Sequence, residues 1–318
     1  MSKKILITGA SGFVGGHLLD YLYSQGEKEI YGTYFSNKTE DKSNKNDVDF
    51  LKIDLKEEDE VFNLIKDIRP DIIYHLAAFT SGADSFSSPK ETVLNNISSQ
   101  INLLQAVFKN NLKDTKILIT SSAEIYGKVK KEDLPIDEQT AFNPTNPYAV
   151  SKLTQDFLGK QYFLSYGLKI LIARPFNHIG PKQSSNFVVS AFAKKIAEIE
   201  KGNREPILTV GNLDSKRDFT DVRDVVKAYQ LIVEKGVFGE AYNVGSGKSY
   251  KISQILDMLL SFSKVKVKVE VDTKLLRPVD NPDLVCNAEK LKKLTGWEPK
   301  IEIAKTLKDT LDYWRNII

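Results

Sequence analysis

Apolar positions along the first 180 residues switch between two periods. Short unbroken runs rich in branched residues stand at 4–8 (Lys4-Ile5-Leu6-Ile7-Thr8), 29–34, 50–53, 71–78, 116–120 and 169–175. Runs of this length and composition read as strands buried on both faces. Between them apolar residues recur at helical spacing, from the first run to about Leu22, over 57–68, over 91–109, and after Pro147. The second of these helices should stop at Arg69-Pro70, because the residue before proline is driven out of the helical region. The polar stretch 37–49 reads as a surface loop. A further helix from Val222 and a strand over 241–244 follow. Strands alternating with helices at this spacing predict an α/β fold built on a doubly wound parallel sheet, with ligands at the carboxyl ends of the strands.

The junction after the first run makes that prediction specific. Gly9, Gly12 and Gly15 stand between the strand and the helix, in Thr8-Gly9-Ala10-Ser11-Gly12-Phe13-Val14-Gly15. Strand, glycine turn and helix in that order form the dinucleotide-binding signature of a Rossmann fold: one glycine for the tight turn, one for close approach of a pyrophosphate, one for helix packing. The helix start would hold the phosphates with its bare N–H groups and positive dipole end. The plain alternative is a glycine-rich turn with no ligand. At the end of the second strand an acidic residue would bind the adenine ribose of NAD, but the chain reads Thr33-Tyr34-Phe35-Ser36-Asn37-Lys38. The missing acid and the nearby Lys38 favour NADP(H), with NAD(H) as the alternative. Asp54, ending the third strand, could accept from the adenine amine. Ala77-Ala78 would let the backbone lie against the cofactor, and His75, inside an apolar run, reads as a core histidine.

Composition narrows the class. The 318 residues are 41% hydrophobic with net charge +3, which describes an ordinary globular chain with room for a large core. Forty-five basic against 42 acidic residues give no argument for nucleic acid or an anionic membrane. The lone Cys286 excludes an internal disulfide framework, and with three scattered histidines it offers no metal-ligand cluster. No signal peptide and no apolar run long enough to span a bilayer is seen, so the expected compartment is the cytoplasm.

Candidate chemistry lies at Asn146-Pro147-Tyr148-Ala149-Val150-Ser151-Lys152. A helix beginning after Pro147 puts Tyr148 and Lys152 one turn apart on one face. A phenol at its ordinary pKa is a poor acid or base at neutral pH; a nearby ammonium and a nicotinamide cation would favour the phenolate and lower that pKa. The plain alternative is an exposed helix pair. The glycine junction, the strand end Ser121-Ser122-Ala123-Glu124-Ile125-Tyr126-Gly127 and the Tyr148/Lys152 pair together resemble the extended short-chain dehydrogenase/reductase family, whose members act on nucleotide-activated sugars.

The resemblance runs along the whole chain and implies roles residue by residue. Tyr148 would be the acid/base and Lys152 its modulator, while Ser122 would hydrogen-bond the sugar oxygen. Cofactor contacts would come from Gly9, Ser11, Gly12, Phe13, Val14, Gly15, Asp54, Leu55, Ala77, Ala78, Tyr148, Lys152 and Pro175. Asn96 matches an asparagine that shapes the site, with packing as the other reading. In the second half, Phe176-Asn177-His178-Ile179-Gly180-Pro181, the stretch around Arg217 and Leu276-Arg277-Pro278 resemble the members that reduce the C4 keto group of GDP-4-keto-6-deoxy-D-mannose to GDP-D-rhamnose. There Asn177 would face the substrate while Arg217 and Arg277 clamp its diphosphate, as guanidinium forks suit phosphate oxygens. For Arg217 an ion pair with Asp218 or Asp221 is the competing reading.

The same resemblance implies a discontinuous division: 1–178 and 212–247 for NAD(P), and 179–211 with 248–318 for the nucleotide sugar. It also implies a homodimer through two helices, one of them carrying Tyr148. A 4,6-dehydratase or 4-epimerase remains the alternative, because Glu124 stands where dehydratases keep a proton-abstracting carboxylate. Ala123 argues the other way, since dehydratases have an acidic or hydroxyl residue there. A non-catalytic nucleotide sensor is the rival from another class, and intact Ser122, Tyr148 and Lys152 weigh against it.

Overall fold

The computed structural model describes residues 3–35, 48–272 and 283–318. In chain order its first strands are β1 (Ile5–Thr8), β2 (Ile30–Tyr34), β3 (Val48–Lys52), β4 (Ile72–His75), β5 (Lys116–Thr120) and β6 (Lys169–Pro175). There follow β7 (Asn177–Ile179), β8 (Ile207–Val210), β9 (Lys216–Asp221), β10 (Ala241–Val244), β11 (Ser249–Lys251) and β12 (Lys268–Val271). Among the described residues, seven strands form one sheet of order β10-β6-β5-β4-β1-β2-β3. Every pairing in it is parallel. The order reverses at β1, so a crevice opens where β1 and β4 diverge in connection, as a doubly wound sheet requires.

Alternate residues of each strand feed two cores. Ile5 and Ile7 pack with α1 (Phe13–Ser24) and α6 (Val222–Lys235) on one face. Leu6 faces α2 (Glu58–Ile68), α3 (Pro89–Lys109) and α4 (Pro147–Tyr166) on the other. Burial on both faces explains why these strands read as continuous apolar runs rather than alternating ones.

Two boundaries differ from the sequence expectation, each for a local reason. β3 begins at Val48 and takes in Asp49, which had read as loop; it is an edge strand paired only with β2, so Asp49 can point into solvent. β4 ends at His75, three residues short of the apolar run's end. The Thr8 hydroxyl accepts the N–H groups of Leu76 and Ala77, each at 3.2 Å, and draws the chain off the ladder.

α4 is seated with little freedom. Asn146 caps its start by accepting the Ala149 N–H at 2.7 Å, Pro147 takes the first helical position, and Gly167 ends it in the left-handed region. Gly159 brings the helix against β5 and β6, where a Cβ would stand 2.5 Å from Ile119 Cδ1. A buried ion pair ties the helix to β6: Arg174 donates to both oxygens of Asp156, at 2.8 and 3.0 Å.

The remaining elements build a second layer over the carboxyl ends of the sheet. α5 (Val188–Glu200), α7 (Ile252–Ser261) and, after the short α8 (Glu289–Thr295), α9 (Ile303–Ile317) follow; α5, α7 and α9 share a core with β8 through Phe192, Ile196, Leu208, Leu256 and Leu311. β7, β9 and β11 form a three-stranded sheet, and β8 pairs with β12. Asp221 at the end of β9 caps α6, pairs with Arg223 and accepts from Thr306 of α9 at 2.7 Å, joining the two layers.

Candidate active site

One cavity of about 690 Å³ runs across the carboxyl ends of the sheet and under the second layer. The glycine junction forms its floor. Gly9 has φ +71° and a Cβ there would stand 3.0 Å from the Ala77 backbone; a Cβ on Gly15 would overlap the Gly9 carbonyl at 2.2 Å. Glycine is therefore required for the turn and for the close seating of α1. No side chain caps α1, so its first-turn N–H groups face the cavity without an intrahelical acceptor. A nucleotide pyrophosphate is what such a cradle fits.

Every described residue expected from the sequence to touch cofactor or substrate lines this cavity. Ser11, Phe13 and Val14 stand with the glycines; Asp54 and Leu55 lie beyond β3; Ala77 and Ala78 follow β4; Pro175 ends β6. Asn177 and Arg217 line the far end, under the second layer. Arg277 and Lys38 lie outside the described residues. Arg217 donates to the Lys216 carbonyl at 2.7 Å; Asp218 accepts from the backbone of Ser246, Gly247 and Cys286, and Asp221 from Arg223 and Thr306.

Ser122, Glu124, Tyr148 and Lys152 meet between those two ends. Ser122 accepts the Glu124 N–H at 3.2 Å, and its hydroxyl is near enough to the Tyr148 phenol to lower that group's pKa. Lys152 is 3% exposed and donates to the Thr120 carbonyl at 2.8 Å. The electrostatics differ from the sequence expectation. Burial raises the Tyr148 phenol well above its ordinary range; the Ser122 hydroxyl lowers it by less, and the Glu124 charge adds a still smaller rise. Burial also brings Lys152 down to about 7. The expected lowering of the phenol by the ammonium does not appear in the protein alone. A charge buried without a counter-ion is penalised more than a neighbour one helical turn away can offset.

The groups behind the wall are fixed by hydrogen bonds. His75 is fully buried, paired with the Thr8 hydroxyl at 2.9 Å, and burial lowers it to about 3, so it is a neutral core histidine. Asn96 clamps the Phe79 backbone, accepting at 2.7 Å and donating at 3.1 Å, and donates to Ser151 at 2.9 Å. Asn96 thus shapes the loop after β4 from outside the cavity. Sequence reading overlooked Phe192, Lys195 and Leu284, which also line the cavity. No local motif marks these three; they converge only through the fold. Phe13, expected among the cofactor contacts, also stacks its ring on His178 with centroids 6.1 Å apart.

The chain matches the family GDP-mannose 4,6 dehydratase over residues 6–310. It is 34% identical to GDP-6-deoxy-D-mannose reductase of Pseudomonas aeruginosa, over 99% of this chain and 98% of the relative. It is 30% identical to GDP-mannose 4,6-dehydratase of Yersinia enterocolitica serotype O:8, over 95% of this chain and 91% of that one. The solved structure of RMD from Pseudomonas aeruginosa complexed with NADPH superposes with a TM-score of 0.87 at 33% identity, covering both chains completely.

Proposed function

The chain belongs to the GDP-mannose 4,6-dehydratase family of extended short-chain dehydrogenases/reductases, and on that premise we propose that it reduces the C4 keto group of GDP-4-keto-6-deoxy-D-mannose, giving GDP-D-rhamnose. The observation that carries this reading is that Ser122 and Tyr148 line the same cavity as the uncapped start of α1. Residues 1–178 and 212–247 would hold the cofactor, and 179–211 with 248–318 the nucleotide sugar. NADPH is the favoured reductant, with NADH second, and held along the glycine cradle it supplies the hydride. Ser122 orients the keto oxygen. Tyr148 gives its proton to the oxyanion that forms at C4, and its raised pKa keeps that proton in place until then. Arg217 binds a phosphate of the diphosphate, and Asn177 faces the sugar. Lys152 supplies positive charge beside the phenol and binds the nicotinamide ribose.

Glu124 lines the same cavity, which favours a dehydratase or epimerase as the second reading. The two are separated by incubating the purified protein with several 4-keto nucleotide sugars and each reduced cofactor. A reductase consumes one reduced nicotinamide per sugar converted. Conversion of the 4-hydroxy parent nucleotide sugars without net consumption of nicotinamide favours the second reading, and no oxidation of NADPH or NADH with any of the 4-keto sugars overturns the first.

Among the described residues no helix is long and apolar enough to cross a membrane, and action in the cytoplasm is part of the proposal. So is a homodimer. Val150, Phe157 and Leu164 recur every seven residues along α4 and are 44, 55 and 69% exposed; Leu94 of α3 is 52% exposed. A heptad-spaced apolar stripe on the surface is suited to packing against its own copy. Leu164→Asp should therefore convert a dimer to a monomer in sedimentation or light scattering, with the monomer's circular dichroism unchanged. A wild-type chain that sediments as a monomer sinks this part of the proposal.

A further inference from the structure

Asn146 stands outside the cavity wall and has no part in the chemistry above, yet it joins two of the groups that do. Its Oδ1 accepts the Ala149 N–H at 2.7 Å, which caps the helix carrying Tyr148 and Lys152. Its Nδ2 donates to Glu124 Oε2 at 2.7 Å. Both ends of one planar amide are thus committed, so its orientation is determined twice over. Glu124 in turn donates its N–H to Ser122. The connections run from Ser122 through Glu124 to Asn146, and from there into the first turn of α4, where Tyr148 stands. Gly82 from the loop after β4 lies against the same junction, and a Cβ there would make ordinary contact with Asn146 Nδ2 at 3.5 Å and Glu124 Oε2 at 3.6 Å.

We infer that Asn146 is a positioning residue: through one side-chain amide it registers the Glu124 carboxylate against the helix that presents Tyr148. Its effect on catalysis rests on the reduction proposed above. The registration has a chemical consequence, because the Glu124 charge opposes loss of the phenol proton. Holding the carboxylate at a fixed place adds to the effect of the burial that keeps Tyr148 protonated, the form a reduction needs.

The competing role, a helix cap and nothing more, can be separated by substitution. Asp caps a helix as well as Asn, but it cannot donate to Glu124 and it adds a second negative charge. Ala removes both functions. Asn146→Asp should melt within about 1 °C of wild type, whereas Asn146→Ala should melt about 2–4 °C lower through loss of the cap. In a crystal structure of Asn146→Asp the Glu124 carboxylate should have turned away while Tyr148 keeps its place. In the reductase assay its kcat should fall about tenfold or more with KM for the sugar nucleotide little changed. The inference is overturned if Glu124 keeps its position in the Asp variant, or if it moves and kcat holds. It is equally overturned if kcat falls only in proportion to lost stability across both variants. Wild-type protein in the same assay reports on the proposed reaction separately: if it has no turnover the reaction fails, while the position of Glu124 still decides the registration.

Discussion

Tyr148→Phe is expected to lower kcat for the keto-sugar reduction by about a thousandfold while leaving the protein folded. General acid catalysis by a positioned side chain contributes roughly 10²–10⁴ in rate, and Tyr148 is the group placed to supply it. Its phenol stands near Ser122 and is kept protonated chiefly by burial. In the reducing direction a reluctant phenol is an asset before reaction and a liability during it. It holds its proton at neutral pH but gives it up to the oxyanion only if positive charge gathers nearby. Lys152, brought down to about 7 by burial, is half charged near neutrality. The wild-type rate should accordingly decline as pH rises through that region, and the residual rate of the Phe variant should be flatter. The ring still fills the same space, so the melting temperature should change little. NADPH affinity, measured by quenching of protein fluorescence, should shift by no more than about tenfold, one lost contact's worth. A Phe variant retaining a tenth or more of wild-type kcat would remove Tyr148 from the role of acid.

Much of this arrangement can be read from the chain because it rests on local rules. β1, the glycine junction and α1 follow from a buried strand meeting a turn that only glycine can make, and the Gly9 and Gly15 contacts give that rule a steric cause. The Tyr148/Lys152 pair follows from helical geometry once Asn146-Pro147 marks a cap and a first turn. That dipeptide could also have drawn attention to Asn146 itself, but only the fold shows its second partner, 22 residues away. Other features depend on contacts that no local window holds. β4 stops early because a threonine 68 residues before Leu76 takes its amide. The small sheet of β7, β9 and β11 pairs segments far apart in the chain, with strands too short to carry a periodic signal. The largest departure concerns charge. Spacing alone places an ammonium near a phenol, but the sign of the phenol's shift is set by desolvation, which depends on everything packed around the pair.

That desolvation makes Lys152→Met the second large prediction, with stability and activity moving in opposite directions. In the unfolded chain the amine titrates near its ordinary value of about 10.4, while in the fold burial brings it to about 7. Between those values the unfolded state binds more protons than the folded one, so this group makes stability rise with pH from about 7 to about 10. Below about 7 both states are protonated and the full penalty of the buried ammonium stands. Methionine fills similar space with no charge to desolvate, at the expense of leaving the Thr120 carbonyl without its 2.8 Å donor. A shift of this size outweighs one orphaned carbonyl, and a net gain of about 1–3 kcal/mol is expected at pH 7 and below. The gain should shrink as the pH is raised toward 10, where wild type no longer carries the charge. Activity should fall about a hundredfold or more, because the charge that helps Tyr148 part with its proton is lost. Thermal melts of wild type and Lys152→Met between pH 6 and 10, run without cofactor, test the first half directly. A Met variant that melts lower than wild type across that whole range would show the ammonium to be a structural asset, and the electrostatic account of the Tyr148/Lys152 pair would fall with it.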